Sequence, residues 1–250
     1  MKATLYGKIV GPAIAVVGVW DPLLHAHQEL FERVYCQARR NGLTSLAIVI
    51  DPDPALVMRG AAKWPVFDDV RTRIQRLRTA GIDAILHLRF VQDDLNAGVA
   101  EFFALVDAHA TLAELWLGAH QTIGRGPNGS QQAILEAAAQ RGIQVHRLPL
   151  VKLLPPPYEI RQSLAAGRVA EVVSWVGRPP IRSRPRSDTR RLAWCPGRYQ
   201  ALPLASLTAP AAESPMEIEL VDRPRGLPTF QWPDRDIKYL AFVAGPADRC

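Results

Sequence analysis

The chain has 250 residues, 48% hydrophobic and 22% charged, with 30 Lys and Arg against 24 Asp and Glu for a net charge of +6. That composition suits one medium α/β domain, or one of about 180 residues with a small appendage, and it excludes a disordered or fibrous chain. No apolar stretch approaches the roughly 18–20 residues of a membrane span, and Met1–Leu5 lacks the apolar run of a secretory signal, so a cytoplasmic protein with no membrane partner is expected. Cys36, Cys195 and Cys250 are odd in number and have no C-x-x-C spacing, so neither a disulfide framework nor a metal site is expected.

In chain order, the first predicted strand is the apolar run AIAVVGVW (13–20), and HQELFERVYCQARRNG after it has a helical apolar spacing closed by Asn41-Gly42. SLAIVI (45–50) is the next strand, and DDVRTRIQRLRTAG then places Val70, Ile74 and Leu77 on one helix face. Further strands are AILHLRF (84–90), ELWLG (114–118) and QVHRLPL (144–150), the last two separated by SQQAILEAAAQRG, which opens with a serine N-cap. Continuous apolar strands alternating with helices predict a Rossmann-like parallel sheet covered on both faces, with ligands at the carboxyl ends of its strands.

After Pro155-Pro156-Pro157, YEIRQSLAAGRVAEVVSWVG predicts a helix pair broken near Gly167. RPPIRSRPRSDTRR (178–191) holds much of the positive charge without periodicity and reads as a solvated linker, or else as a phosphate- or RNA-binding strip. Short β-like pieces follow, RRLAWC, RYQALPL, MEIELVD, TFQW and KYLAFVA, separated by turns. The expected division is therefore 1–181 and a small β-rich unit over 182–250, with no internal repeat and no oligomeric state indicated.

The stretch AIAVVGVWDPLLHAHQ (13–28) contains Gly18, Asp21, His25 and His27 around a strand end and a helix start. Histidines there suit phosphate, because helix-terminal N–H groups and ring N–H donors converge on anionic oxygens. Pro22 disfavours helix at Asp21, which predicts a helix beginning near Ala26 or His27 with His25 in the non-helical lead-in. His25 and His27 are then expected to face one cavity with the Gly118 backbone and Arg161. Each residue also has a plain reading. Asp21 fits a simple turn or N-cap, Arg161 a surface ion pair, and HQTIGRGPNGS, with His120, Gly124 and Arg125, an ordinary surface loop rather than an anion cradle. Trp20, Trp64, Trp116 and Trp175 read as core.

Five segments in order resemble bacterial FAD synthetases, the bifunctional flavokinase/FMN adenylyltransferases. Gly18 to Gln28 is similar to the family's G-N-F-D-G-V-H-L-G-H-Q; IDPDP (50–54) to F-D-P-H-P; GIDAILHLRF (81–90) to G-V-D-x-V-L-x-x-x-F; LGAHQTIGRGPNGS (117–130) to V-G-x-D-F-R-F-G-x-x-R-x-G-D; and EIRQSLAAGRVAEVVSWVGRPP (159–180) to x-I-R-x-x-L-x-x-G-x-V-x-x-A-x-x-L-G-R-P. The resemblance implies a nucleotidyltransferase in which the FMN phosphate attacks the α-phosphorus of ATP, bound with Mg²⁺, and pyrophosphate leaves. It implies a catalytic role for His27 and nucleotide contacts from Gly18, Asp21, His27, Gly118 and Arg161; His25, one place late in the motif, is expected to take up the catalytic part of the family's first histidine. It further implies substrate contacts from Asp51, Pro52, His120, Gly124 and Arg125, with FMN or FAD as the flavin.

The motifs are also altered. Leu24 stands at the family's first histidine and Ala26 at its glycine; His120-Gln121-Thr122-Ile123-Gly124 replaces D-F-R-F-G; and Pro156-Pro157-Tyr158 replaces S-S-T before Ile160 and Arg161. Proline offers an oxyanion neither hydroxyl nor N–H. CPGRYQALPL (195–204) resembles a reduced relic of the riboflavin kinase barrel, and riboflavin kinase activity is not expected. The open readings are an FAD synthetase with an altered phosphate site, an enzyme turned to another acceptor in a specialised pathway, an inactive nucleotide- or flavin-binding module, and a partner protein using only the scaffold. A small nucleotide or flavin ligand is expected, and nucleic acid is not.

Overall fold

The apolar runs of the first 150 residues become the strands of one sheet. The computed structural model describes residues 1–54, 57, 65–91, 94, 96–119, 121–124, 129–148, 155–185, 189–191, 194–207, 214–221, 228–234 and 237–249. By packing, the chain forms two compact units: Met1–Trp20 with His25–Ala62 and Leu77–Val151, and Asp21–Leu24 with Lys63–Arg76 and Lys152–Cys250.

The elements in the first part of the chain are β1 (Lys2–Gly7), β2 (Ala13–Gly18), α1 (His25–Asn41), β3 (Thr44–Asp51), α2 (Val70–Thr79), β4 (Ala84–Arg89), α3 (Val99–Asp107), β5 (Leu112–Gly118), α4 (Gln131–Ala139) and β6 (Gln144–Leu148). The first unit's sheet has the order β1-β4-β3-β2-β5-β6. β2 to β6 pair in parallel, and β1 joins antiparallel to β4. All of Ala13–Val17 and Thr44–Val49 is buried, so β2 and β3 have no solvent face, as continuous apolar runs require. β1 is absent from the sequence reading because KATLYG is an edge strand with mixed burial and no apolar run. Ser130 caps α4 as expected, its Oγ accepting the Ala133 N–H at 3.1 Å.

The second unit contains α5 (Pro157–Ala165), α6 (Val169–Val176), β7 (Ile181–Ser183), β8 (Thr189–Arg191), β9 (Gly197–Leu204), β10 (Met216–Leu220), β11 (Thr229–Gln231) and β12 (Tyr239–Ala244). β10-β9-β12-β7 form an antiparallel sheet, and β11-β8 a two-stranded one. Ile160 and Leu164 of α5 and Val169 and Val172 of α6 share one core with Trp194, Tyr199 and Phe242. The helix pair, which the sequence reading groups with the first segment, thus packs with the β-rich part, and the compact units part before it rather than at residue 182. Among the described residues no helix is long and apolar enough to cross a membrane.

The stretch 178–191 is not a solvated linker where it is described. Arg182 is only 1% exposed; it donates to the carbonyls of Phe67 and Val66 and lies 4.9 Å over the Trp194 ring. Arg178 pairs with Asp68 at 2.8 Å and stacks on Phe67 at 4.7 Å. Asp68 also accepts the Ile181 N–H at 2.9 Å and pairs with Arg76 at 3.1 Å, and Asp69 accepts the N–H and hydroxyl of Ser183 at 2.7 and 2.8 Å. Two adjacent carboxylates therefore draw a basic segment more than 100 residues away into the core, and burial is tolerated because the charges are paired and hydrogen-bonded.

Asp68→Ala would leave Arg76 and Arg178 without their buried carboxylate, and is expected to destabilise the protein by about 3–5 kcal/mol in denaturant unfolding. Removing the exposed Arg198–Glu217 pair should change stability by less than about 1 kcal/mol. Equal small losses would contradict the role given to Asp68.

Candidate functional site

The sheet order sets where a ligand can enter the first unit. From β2 the chain runs through α1 to β3 and on to β4, then returns through α3 to β5 on the other side of β2. Right-handed crossovers in opposite directions place their helices on opposite faces, so the β2/β5 boundary is the switch point at which parallel sheets bind ligands. Gly18 closes β2 and Gly118 closes β5, at adjacent strand ends. Asp51 closes β3 next to them.

Trp20 shapes the β2 end. Its backbone has φ 55°, and its indole folds back onto Gly18 so closely that a Cβ there would lie 2.7 Å from the ring. Nε1–H donates to the Ile48 carbonyl at 3.3 Å, and the ring meets Phe31 and His27 edge-on, with centroids 5.0 and 5.3 Å apart. His27 is half-buried in the first turn of α1, which has no acidic residue to oppose an anion.

The helix starts at His25, earlier than Pro22 suggests, so residues 25 and 27 both lie in its first turn. Two positions on a helix are about 200° apart, and the shared side expected of a non-helical lead-in is not what this turn provides. The side chain of His25 is outside the described residues, as are His120 and Arg125.

At the β3 end, the Asp51 carbonyl accepts the Phe90 N–H at 3.0 Å, its side chain is half-buried, and Pro52 is exposed. At the β5 end, the Gly118 N–H donates to Gln121 Oε1 at 3.2 Å, while its carbonyl accepts from Gln121 N–H at 3.0 Å and Arg147 at 3.2 Å. Arg147 also reaches the Gln121 carbonyl at 2.9 Å, and burial holds its pKa below the usual arginine value. The sequence reading missed this cation, because one arginine in a strand carries no spacing signal. Gly124, expected to contact substrate, has φ 89° and a packing duty: a Cβ would lie 2.5 Å from the Ala97 carbonyl and 2.8 Å from Gly98 Cα.

Asp21 and Arg161 belong to the second unit. Asp21 Oδ1 accepts the N–H groups of Phe67 and Asp68 at 3.0 and 2.9 Å, and Arg161, also buried, approaches Oδ2 at 3.8 Å. Burial pushes the Asp21 carboxyl up, with Arg73 and Arg161 working against that rise. Within this unit the carboxylate ties down the distant Phe67-Asp68 backbone rather than its own turn or a helix N-terminus.

His109 and His146 are engaged away from these strand ends. His109 lies just past α3 and its Nδ1–H donates to the Leu105 carbonyl at 2.9 Å. His146 and Trp116 both reach Glu114, at 3.2 and 3.0 Å, nearer the amino end of β5. Among the described residues no three His, Cys, Asp or Glu side chains gather as metal ligands. A groove of about 580 Å³ along α1, lined by Glu29, Arg33, Cys36, Arg40 and Trp116 among others, includes none of the expected site residues.

The contact at Gly124 is testable. Gly124→Ala adds a methyl at positive φ against backbone atoms and is expected to lower stability by about 2 kcal/mol or more in denaturant unfolding. A variant as stable as the wild type, with only ligand affinity lowered, would make Gly124 a ligand residue rather than a packing one.

Comparison with known proteins places this geometry. The model of the FAD synthetase family matches residues 8–154, more than half of the chain and nearly the whole of the parallel-sheet unit. No curated protein matches the chain. Among solved structures, the crystal structure of a macrolide-efflux protein from Streptococcus pneumoniae is similar with a TM-score of 0.62 and 18% identity, over 95% of this chain and 88% of that one; at that identity the likeness is one of fold. With the family's segment spanning the strands that end at Gly18, Asp51 and Gly118 and the helix that carries His27, the chain belongs to the FAD synthetase family.

Proposed function

We propose that the protein is a nucleotidyltransferase of the FMN adenylyltransferase type. The phosphate of FMN, or of a related phosphate ester, attacks the α-phosphorus of Mg-ATP; the new P–O bond joins AMP to the acceptor and pyrophosphate leaves. The carrying observation is that the family match coincides with the unit in which Gly18 and Gly118 end adjacent strands at the switch point, with His27 in the first turn of the next helix. Such a transfer needs no protein nucleophile. It needs two anions brought into line and donors aimed at the charge that develops on the leaving group. In this reading His27 is the principal donor at the nucleotide phosphates, seconded by His25, beside the strand ends at Gly18 and Gly118. Asp51, Pro52, His120 and Arg125 are assigned to the acceptor, Gly124 supports their segment by packing, and Asp21 and Arg161 are assigned to the nucleotide.

A second reading, an inactive nucleotide- or flavin-binding module or an enzyme for another acceptor, is favoured by particular residues. The Gly118 N–H is already held by Gln121. α5 opens at Pro156 with no side-chain cap and has Glu159 in its first turn, where the related segments place hydroxyls. Each charge-assisted hydrogen bond so lost weakens anion binding by about 1.5–3 kcal/mol, so ATP is expected to bind weakly.

Incubation of the pure protein with Mg-ATP and FMN, followed by chromatography for FAD and pyrophosphate, tests the first reading. FAD formation is expected, and His27→Ala is expected to lower turnover by about one to three orders of magnitude with the fold retained. Binding of ATP or FMN by calorimetry without turnover would favour the second reading, and unchanged turnover in His27→Ala would remove His27 from the site.

A further inference from the structure

We propose that Trp20 is the positioning residue of this site, holding the His27 ring in place from a backbone conformation that turns its indole onto Gly18. The inference rests on the nucleotidyltransferase reading above and adds a part to it.

Among the described residues Trp20 is the only non-glycine with positive φ, at 55°. A bulky side chain rarely adopts that region, and it persists only where the surroundings over-determine it. Here they do. The indole is 8% exposed and is fixed on three sides: below by Gly18, where a Cβ would stand 2.7 Å from Cε2 and Cζ2; at its nitrogen by the Ile48 carbonyl at 3.3 Å; and beside it by Phe31, at 5.0 Å between centroids. Its remaining aromatic contact is with His27, at 5.3 Å and an interplanar angle of 81°.

Space filling alone does not require this arrangement, since an apolar side chain with ordinary φ fills a pocket without a strained backbone. The strain does achieve one thing, which is to point a rigid, anchored ring at the one histidine that matches a phosphate ligand. An imidazole on the half-exposed first turn of a helix has several rotamers open to it. An edge-to-face partner with no freedom of its own selects among them before substrate arrives, which is the preorganisation that phosphoryl transfer depends on. Gly18 serves two purposes at once. It ends the strand at the switch point, and its missing Cβ is the space in which the indole sits.

The test uses Trp20→Phe, Trp20→Ala and Gly18→Ala in the full chain, with two independent readouts. The first is the proton NMR signal of the His27 ring, identified by its loss in His27→Gln. The wild-type signal is expected to be displaced by the indole ring current, to return towards the free imidazole position in Trp20→Ala, and to move likewise in Gly18→Ala, whose methyl claims the indole's place. Trp20→Phe, which keeps a ring but loses the donor to Ile48, is expected to shift it partway. The second readout is adenylyl transfer to FMN. Trp20→Ala is expected to lower kcat about tenfold with KM for Mg-ATP changed less than about threefold, and Trp20→Phe to recover most of the loss.

A His27 signal identical in wild type, Trp20→Phe and Gly18→Ala overturns the proposal, whether or not Trp20→Ala folds, and so does an unchanged kcat in a folded Trp20→Ala. A wild-type protein that makes no FAD overturns the parent reading alone, and the NMR readout then still decides whether Trp20 places His27.

Discussion

A strand with no solvent face must be covered from both sides, and this governs the parallel-sheet unit. β2 and β3 are buried along almost their whole length, so the chain cannot keep adding strands in one direction with all its helices on one face. It runs outward through β3 and β4, then crosses back to β5. Where the direction reverses, the two outgoing loops diverge, and backbone at the strand ends is left without a helix over it. Gly18 and Gly118 sit at that place, and the segments that resemble phosphate-handling motifs begin there. The candidate site is a consequence of how the core is covered.

The second unit solves a different problem, the presence of many arginines in a core of modest size. Asp68 and Asp69 together take hydrogen bonds or ion pairs from Arg76, Arg178, Ile181 and Ser183, and Arg182 finds backbone carbonyls and the Trp194 face. Asp21 is held by Phe67 and Asp68 N–H groups next to Arg161. Desolvation opposes ionisation of so buried a carboxyl, and the neighbouring guanidinium groups oppose that effect. Residues that sequence comparison associates with nucleotide are thus, in this unit, parts of a buried polar network.

Frame and chemistry are constrained differently. The fold is shared at 18% identity with a solved structure, over nearly the whole chain, whereas the segments that resemble phosphate-handling motifs differ from them at hydroxyls, a histidine and a glycine. Packing constrains apolar type and volume, which many residues satisfy; orienting a phosphate demands particular donors at particular atoms. Gly124 shows how the two become confused. It falls in a glycine-rich segment that resembles an anion cradle, yet it is needed because the Ala97 and Gly98 backbone passes within van der Waals reach of where its Cβ would be.

What local pattern controls was legible in the chain. Five of the six strands of the first unit's sheet, the body of the helix carrying Gln28, the helix after Ser130, and the β-pieces near 198–204, 216–220 and 239–244 all lie close to their predicted places, because continuous apolar runs and helical spacing act over a few residues. What depends on distant partners was not. β1 exists only because β4 offers an edge, β7 because β12 pairs with it while Asp68 and Asp69 bind its N–H groups, and the pairing of Arg178 and the burial of Arg182 are invisible in a stretch that reads as a basic linker. The helix start at His25 and the left-handed Trp20 were likewise decided by packing, since Gly18, Ile48 and Phe31 come together only when β2, β3 and α1 do. A sequence displays the period of its apolar residues, but the compensation of a charge or a strained backbone is made by groups tens of residues away, and tertiary structure alone brings them within reach.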